Sequence, residues 1–181
     1  MVRNYAELNK LISLTMRIRS FSRSLLIRML SELRHIDIER EWIRFPFYHH
    51  VFDDERKGFE AQLKYMKSYG DFVSLEHAVA MMESSERIGG RYFCVSFDDG
   101  FKNCVTNALP ILIENDCPAA FFVATDYIGC DVTRDRATVN NFFSRSMYPK
   151  NVLIDFMDWD DCGNLVDAGM TIGALPAATS R

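Results

Sequence analysis

Two short, almost wholly apolar runs constrain this chain more than anything else in it. Tyr92–Phe97 reads Tyr-Phe-Cys-Val-Ser-Phe, and Ala119–Ala124 reads Ala-Ala-Phe-Phe-Val-Ala. Strands of that composition have to be covered on both faces, which is the habit of parallel sheets. Between them, Asn103–Asn115 repeats apolar residues at helical spacing, with Pro110 kinking or dividing the helix. Strand, helix and strand in that order make a βαβ unit with parallel strands and a right-handed crossover. The 181 residues suit one α/β domain.

The flanking segments extend the same pattern. Trp42, Ile43, Phe45, Phe47 and Tyr48 form an aromatic strand that Pro46 weakens or moves to an edge. Residues 55–69 read as a helix that Gly70 stops, and Phe72-Val73 as a brief strand. Ser74 is placed to cap a helix running to Met82, and Gly89-Gly90 breaks the chain. Residues 130–150 are polar and read as a long loop. Met157–Ala168 reads as a helix with Gly169 just past its end, and Met170–Gly173 starts another strand.

The amino-terminal segment has a different character. Leu8, Leu11, Ile12, Leu14 and Ile18, then Phe21, Leu25, Leu26, Met29, Leu30 and Leu33, give residues 5–33 one apolar face. Arg3, Lys10, Arg17, Arg19, Arg23 and Arg28 oppose a single acid, Glu7, over the first thirty residues. A basic amphipathic helix of this kind suits contact with an anionic membrane surface or a partner. Packing on its own domain with solvated arginines is the commoner outcome. We divide the chain into a helical segment, 1–40, and a domain, 41–181.

Charge and cysteine content exclude several classes. The net charge of −4 is wrong for a nucleic-acid binder. Five cysteines, none in a Cys-x-x-Cys pair, argue against a disulfide framework and a zinc knuckle; Cys94 and Cys117 read as buried small hydrophobes. No apolar run is long enough to span a membrane, and arginines interrupt every candidate signal region, so a cytoplasmic chain is expected.

Chemistry concentrates at Asp98-Asp99-Gly100, directly after the first buried strand. Carboxyl ends of parallel strands form the ligand crevice of α/β folds. Two adjacent carboxylates there repel unless a cation or a shared proton relieves them. A cation can lower the pKa of a bound water, and a free carboxylate can act as general base. The bland alternative is a polar turn capping the next helix. A third reading, magnesium-dependent phosphoryl transfer, needs Lys and Thr elements that the sequence does not place.

Ser96-Phe97-Asp98-Asp99-Gly100 resembles the first signature of the polysaccharide deacetylase family, carbohydrate esterase family four. Tyr48-His49-His50-Val51 resembles that family's first strand ending. Phe59, Gln62, Leu63 and Met66, with Tyr69-Gly70 and Val73-Ser74-Leu75, resemble its next helix and strand. Ala119–Val123 and Trp159–Gly173 continue the likeness, which covers about residues 41–174. The resemblance implies a distorted (β/α) barrel, here partial and preceded by the amino-terminal helix. It implies hydrolysis of N- or O-linked acetyl groups on a glycan, Asp98 as general base and Asp99 as ligand to a divalent metal, usually zinc. Two histidines of a His-(Ser/Thr)-x-x-His signature complete the family's metal site, and a later histidine protonates the leaving amine.

At that second signature the sequence departs. Ile172-Gly173-Ala174 continues as Leu175-Pro176-Ala177-Ala178, and no histidine follows His77. A lone carboxylate cannot hold a catalytic zinc that takes three protein ligands. The expectation is a truncated or frame-shifted deacetylase domain, impaired or inactive, or a non-catalytic glycan-binding or regulatory remnant. An open barrel edge after Met170–Gly173 should favour self-association. His49 and His50 end the first strand, where one of them could approach Asp99.

Overall fold

The computed structural model describes residues 3–7, 40–145 and 154–175. The helix expected over 5–33 lies outside these residues except for the helical turn Tyr5–Glu7, and so does the tail after Leu175.

Among the described residues, seven short strands all run parallel. They are β1 (Trp42–Arg44), β2 (Phe47–Tyr48), β3 (Asp71–Phe72), β4 (Arg91–Phe93), β5 (Val95–Phe97), β6 (Ala119–Ala124) and β7 (Thr171–Leu175). One sheet has the order β1-β4-β3 and the other β2-β5-β6-β7. The helices are α1 (Arg56–Lys67), α2 (Leu75–Glu83), α3 (Leu109–Glu114), α4 (Arg136–Arg145) and α5 (Trp159–Asp167). This is the expected α/β class with parallel strands. Among the described residues, no helix is long and apolar enough to cross a membrane.

Two expected single strands are each two. Phe45-Pro46 separates β1 from β2, because proline has no N–H for the ladder. Cys94 separates β4 from β5, with no proline to mark the break. The two bent pieces still pair along their length. Cys94 N–H donates to the Arg44 carbonyl at 2.9 Å, and Ser96 N–H to the Pro46 carbonyl at 3.1 Å. On the far side β4 pairs with β3, whereas β5 pairs with β6. One apolar run therefore serves two sheets.

Several local expectations hold. Ser74 accepts the His77 N–H at 3.2 Å and caps α2. Gly169, at φ 76°, follows α5. Gly70 follows the end of α1 and its N–H donates to the Met66 carbonyl at 3.1 Å; it also lets the α1 exit approach β4, because a Cβ there would collide with the Arg91 carbonyl oxygen. Asn103–Asn115 is not one regular helix. A π-helical stretch, Cys104–Ala108, comes first, and α3 starts with Pro110 in its first turn, where the missing N–H costs nothing.

The loop expected over 130–150 is corrected. Residues 136–145 form α4, whose Val139 and Phe143 are buried. Phe143 stacks on Phe101 at 5.8 Å, and Phe142 packs edge-on against Phe156 at 5.2 Å. Those aromatic contacts supply what the polar sequence lacks in helix propensity. In α5, Leu165 is buried, but Trp159 is 71% exposed. The free cysteines Cys94, Cys104, Cys117 and Cys162 are buried, as read for Cys94 and Cys117.

Candidate active site at the ends of β2 and β5

Parallel pairing sets Tyr48 opposite Phe97. The residues after those two positions, His49-His50 and Asp98-Asp99, therefore leave the sheet side by side. The Asp98 N–H donates to the Tyr48 carbonyl at 2.9 Å and fixes the register. His49 Nε2 lies 3.9 Å from Asp99 Oδ2. The Asp99 carbonyl accepts the Ala124 N–H at 3.3 Å, which ties the turn to the end of β6 as well.

The turn is strained and tightly supported. Asp99 has φ 74° and Gly100 φ 78°. A left-handed conformation is unusual for a residue with a side chain, although Asp tolerates it better than most. Behind the turn, the Met157 N–H donates to the Gly100 carbonyl at 2.9 Å, and the Lys102 N–H to the Asp155 carbonyl at 2.8 Å. Lys102 Nζ reaches Asp158 Oδ2 at 3.0 Å and Asp161 Oδ2 at 3.1 Å. Asp158 caps α5, accepting the Asp161 N–H at 2.8 Å. The lysine thus joins the aspartate loop to a helix start, and both its partners hold its proton more firmly.

The floor is aromatic. Tyr48 stacks on Phe97 at 5.5 Å, and Phe97 on Phe121 at 4.7 Å. His50 packs on Phe101 at 4.2 Å and on Phe52 at 5.2 Å. Burial, with a smaller push from His49, drives the His50 pKa down to about 3 against an opposing hydrogen bond to Asn103. Burial therefore favours the neutral form of the His50 imidazole, which packs between Phe52 and Phe101. Burial also raises the Asp99 pKa, and Asp98 adds to this while His49 opposes it. The Cys104 thiol is held protonated by burial and donates to the His49 carbonyl at 3.2 Å. That thiol is an anchor for His49 and no nucleophile, because the thiolate is the reactive form.

The pair His49–Asp99 is thus brought together, and Asp98 is its neighbour. His77 is exposed on α2, away from the pair, and His35 lies outside the described residues. Sequence reading did not find the Lys102–Asp158–Asp161 network or the Cys104 anchor. The spacing Asp158-x-x-Asp161 ahead of an apolar stretch was the available signal for the cap.

The metal that the resemblance implies needs three or more protein donors. Among the described residues, no group of three His, Cys, Asp or Glu side chains comes together. Asp99 and His49 supply two. The described donor set does not fit a resident zinc.

Residues 86–174 match the family model described as polysaccharide deacetylase. No curated protein matches the chain. Among solved structures, IcaB from Ammonifex degensii aligns with a TM-score of 0.57 at 22% identity, covering 73% of this chain and 52% of that one. A de-N-acetylase from Aggregatibacter actinomycetemcomitans aligns with a TM-score of 0.47 at 17% identity, covering 75% and 53%. Streptococcus pyogenes deacetylase PplD gives 0.44 at 17%, covering 73% and 53%. The chain spans about half the length of these proteins, and at such identity the likeness to IcaB is one of fold. The Ser96–Gly100 motif lies inside the matched stretch, and residues 86–174 are a polysaccharide deacetylase domain by that match.

Proposed function

We propose that residues 41–181 are the front part of a catalytic domain that removes N- or O-linked acetyl groups from a glycan by metal-dependent hydrolysis. The observation that carries this reading is that Asp98 and Asp99, inside the family-matched stretch, meet His49 from the adjoining strand end, 3.9 Å from Asp99. Asp98 is the base in this reading. Its carboxylate takes a proton from water, the water oxygen adds to the acetyl carbonyl carbon, and the bond to the sugar nitrogen or oxygen breaks to release acetate as the proton held by Asp98 passes to that departing nitrogen or oxygen. Asp99 is the residue reserved for the cation. His49, 3.9 Å from Asp99, is the second donor at the same strand end in this reading.

The 181-residue chain by itself should do this poorly. Among the described residues it offers two donors, Asp99 and His49, where three are needed. With zinc or cobalt and an acetylated chitin or xylan oligomer, acetate release should not exceed that of Asp98→Asn. Release well above that variant would refute the impairment. The same shortage of donors favours a second reading, a glycan-binding or regulatory remnant. Oligosaccharide affinity that survives a chelator would support the remnant over the enzyme.

The reading keeps a cytoplasmic placement, the separate 1–40 segment with its membrane-facing option, and self-association through the edge of β7. Among the described residues, β7 pairs only with β6. A monodisperse monomer in sedimentation would count against association through that edge.

A further inference from the structure

A cavity of about 500 Å³ opens beside the loop that follows Asp99. Its walls include Arg3, Arg56 and Lys102, with Asp53, Asp155 and Asn107 among the others. These groups differ in how far they are already committed. Lys102 is held by Asp158 and Asp161. Asn107, only 4% exposed, gives its amide hydrogens to the Val51 carbonyl and to Asp53 Oδ1, both at 2.9 Å. Asp155 Oδ1 accepts the Val132 N–H at 3.5 Å.

The two guanidinium groups are different. Among the described residues, Arg56 makes one weak polar contact, Nη1 to Asn107 Oδ1 at 3.4 Å. Among the described residues, no carboxylate lies within ion-pair distance of Arg3 or Arg56. Each guanidinium carries five N–H donors in a planar fork that matches a carboxylate. Asp53 and Asp155 each keep a second carboxylate oxygen free of hydrogen bonds among the described residues. The wall therefore offers cationic forks and anionic acceptors together.

We propose that this cavity binds a sugar unit bearing a single carboxylate, a uronic acid, with the carboxylate on Arg56 and Arg3 and the hydroxyls on Asp53 and Asp155. The two aspartates in the wall disfavour a phosphate dianion by repulsion and accept hydroxyl hydrogens from a sugar. The volume suits one or two pyranose rings. The sugar part rests on the glycan reading above; the carboxylate part rests on the cavity alone.

Arg3 reaches the wall because residues 3–7 are latched to the domain. The Asp53 N–H donates to the Arg3 carbonyl at 3.1 Å. The Asp54 carboxylate accepts the N–H groups of Tyr5 at 2.7 Å and Ala6 at 3.1 Å, capping the helical turn from another part of the chain. A ligand spanning Arg3 and Arg56 would hold this latch closed. By reciprocity, loosening the latch must weaken the ligand.

The test titrates glucuronate, glucose and inorganic phosphate into the full chain at low salt, followed by NMR or calorimetry. Glucuronate should saturate, with glucose and phosphate at least about tenfold weaker. Arg56→Gln should weaken glucuronate about tenfold, the worth of one charge-assisted hydrogen bond. Asp54→Ala, which leaves the cavity wall untouched, should weaken it severalfold. No saturable binding of glucuronate, equal binding of glucose, or tighter binding of phosphate would overturn the proposal. So would an unchanged affinity in a natively melting Arg56→Gln. If that variant does not fold, Arg56→Lys decides, because it keeps the charge and loses the fork: unchanged affinity there overturns the proposal too. Wild-type affinity in Asp54→Ala removes Arg3 from the site. Glucuronate carries no acetyl group, so this result and the acetate assay can fail independently.

Discussion

Gly100→Ala should lower the stability of this chain by about 2–5 kcal/mol, seen as a lower urea midpoint at unchanged slope. Two costs add. Gly100 has φ 78°, where an L-residue loses about 1–2 kcal/mol. A Cβ there would also stand 2.5 Å from Val123 Cγ1 and 3.3 Å from Val123 Cα. Val123 is 2% exposed and belongs to β6, which is hydrogen-bonded on both sides, so it cannot step aside. Overpacking of that kind costs about 1–3 kcal/mol. Gly129→Ala is the control: its φ is 75°, but nothing lies within 4 Å of the added methyl. If Gly100→Ala is no worse than Gly129→Ala, the close approach to β6 is wrong. The same approach bends the chain after Asp98 and Asp99, so the variant should also displace the carboxylates from His49.

The strands β5 and β6 were legible because burial on both faces leaves a continuous apolar run, which few other elements tolerate. Their partition was not. Nothing in Tyr92–Phe97 marks Cys94 as the point where pairing passes from β3 to β6, because both halves are similarly apolar in sequence and the break follows from which strands lie beside them. At Phe45-Pro46 the same kind of break was visible, since proline removes a ladder donor. Helix α4 stayed hidden for the opposite reason. Thr138, Asn140 and Asn141 are poor helix formers, and the element is held by Phe142 and Phe143 against Phe101 and Phe156, contacts made far along the chain. At the site, Asp98 and Asp99 could be picked out by position alone. That His49 rather than His50 faces Asp99 follows from the path of the backbone after Tyr48, which turns one imidazole outward to the carboxylates and the other inward onto Phe52 and Phe101.

That inward imidazole gives the second large effect. Stability should fall by about 2–3 kcal/mol between pH 7 and pH 4.5 through His50 alone, following the linkage of about 1.4 kcal/mol per pH unit. The folded pKa is lowered from 6.5 to about 3 by burial. The unfolded chain therefore takes up a proton near pH 6.5, while the folded chain resists until about 3. Above the upper limit His50 makes no pH-dependent contribution; below it, each step towards acid favours unfolding until the lower limit is reached. His50→Asn keeps a neutral polar group toward Asn103 and cannot charge. It should start less stable at pH 7, having lost the ring contacts with Phe52 and Phe101 at 5.2 and 4.2 Å, and then hold a flatter profile down to pH 4.5. The difference between the two urea-midpoint curves isolates His50 from the carboxylates Asp54, Asp131, Asp135 and Asp158, whose lowered pKa values act only at more acid pH. Parallel curves over that interval would mean that His50 charges within the folded protein. A charged His50 beside His49 would then alter the field on Asp99, so the same titration also tests whether this strand end keeps its inner imidazole neutral.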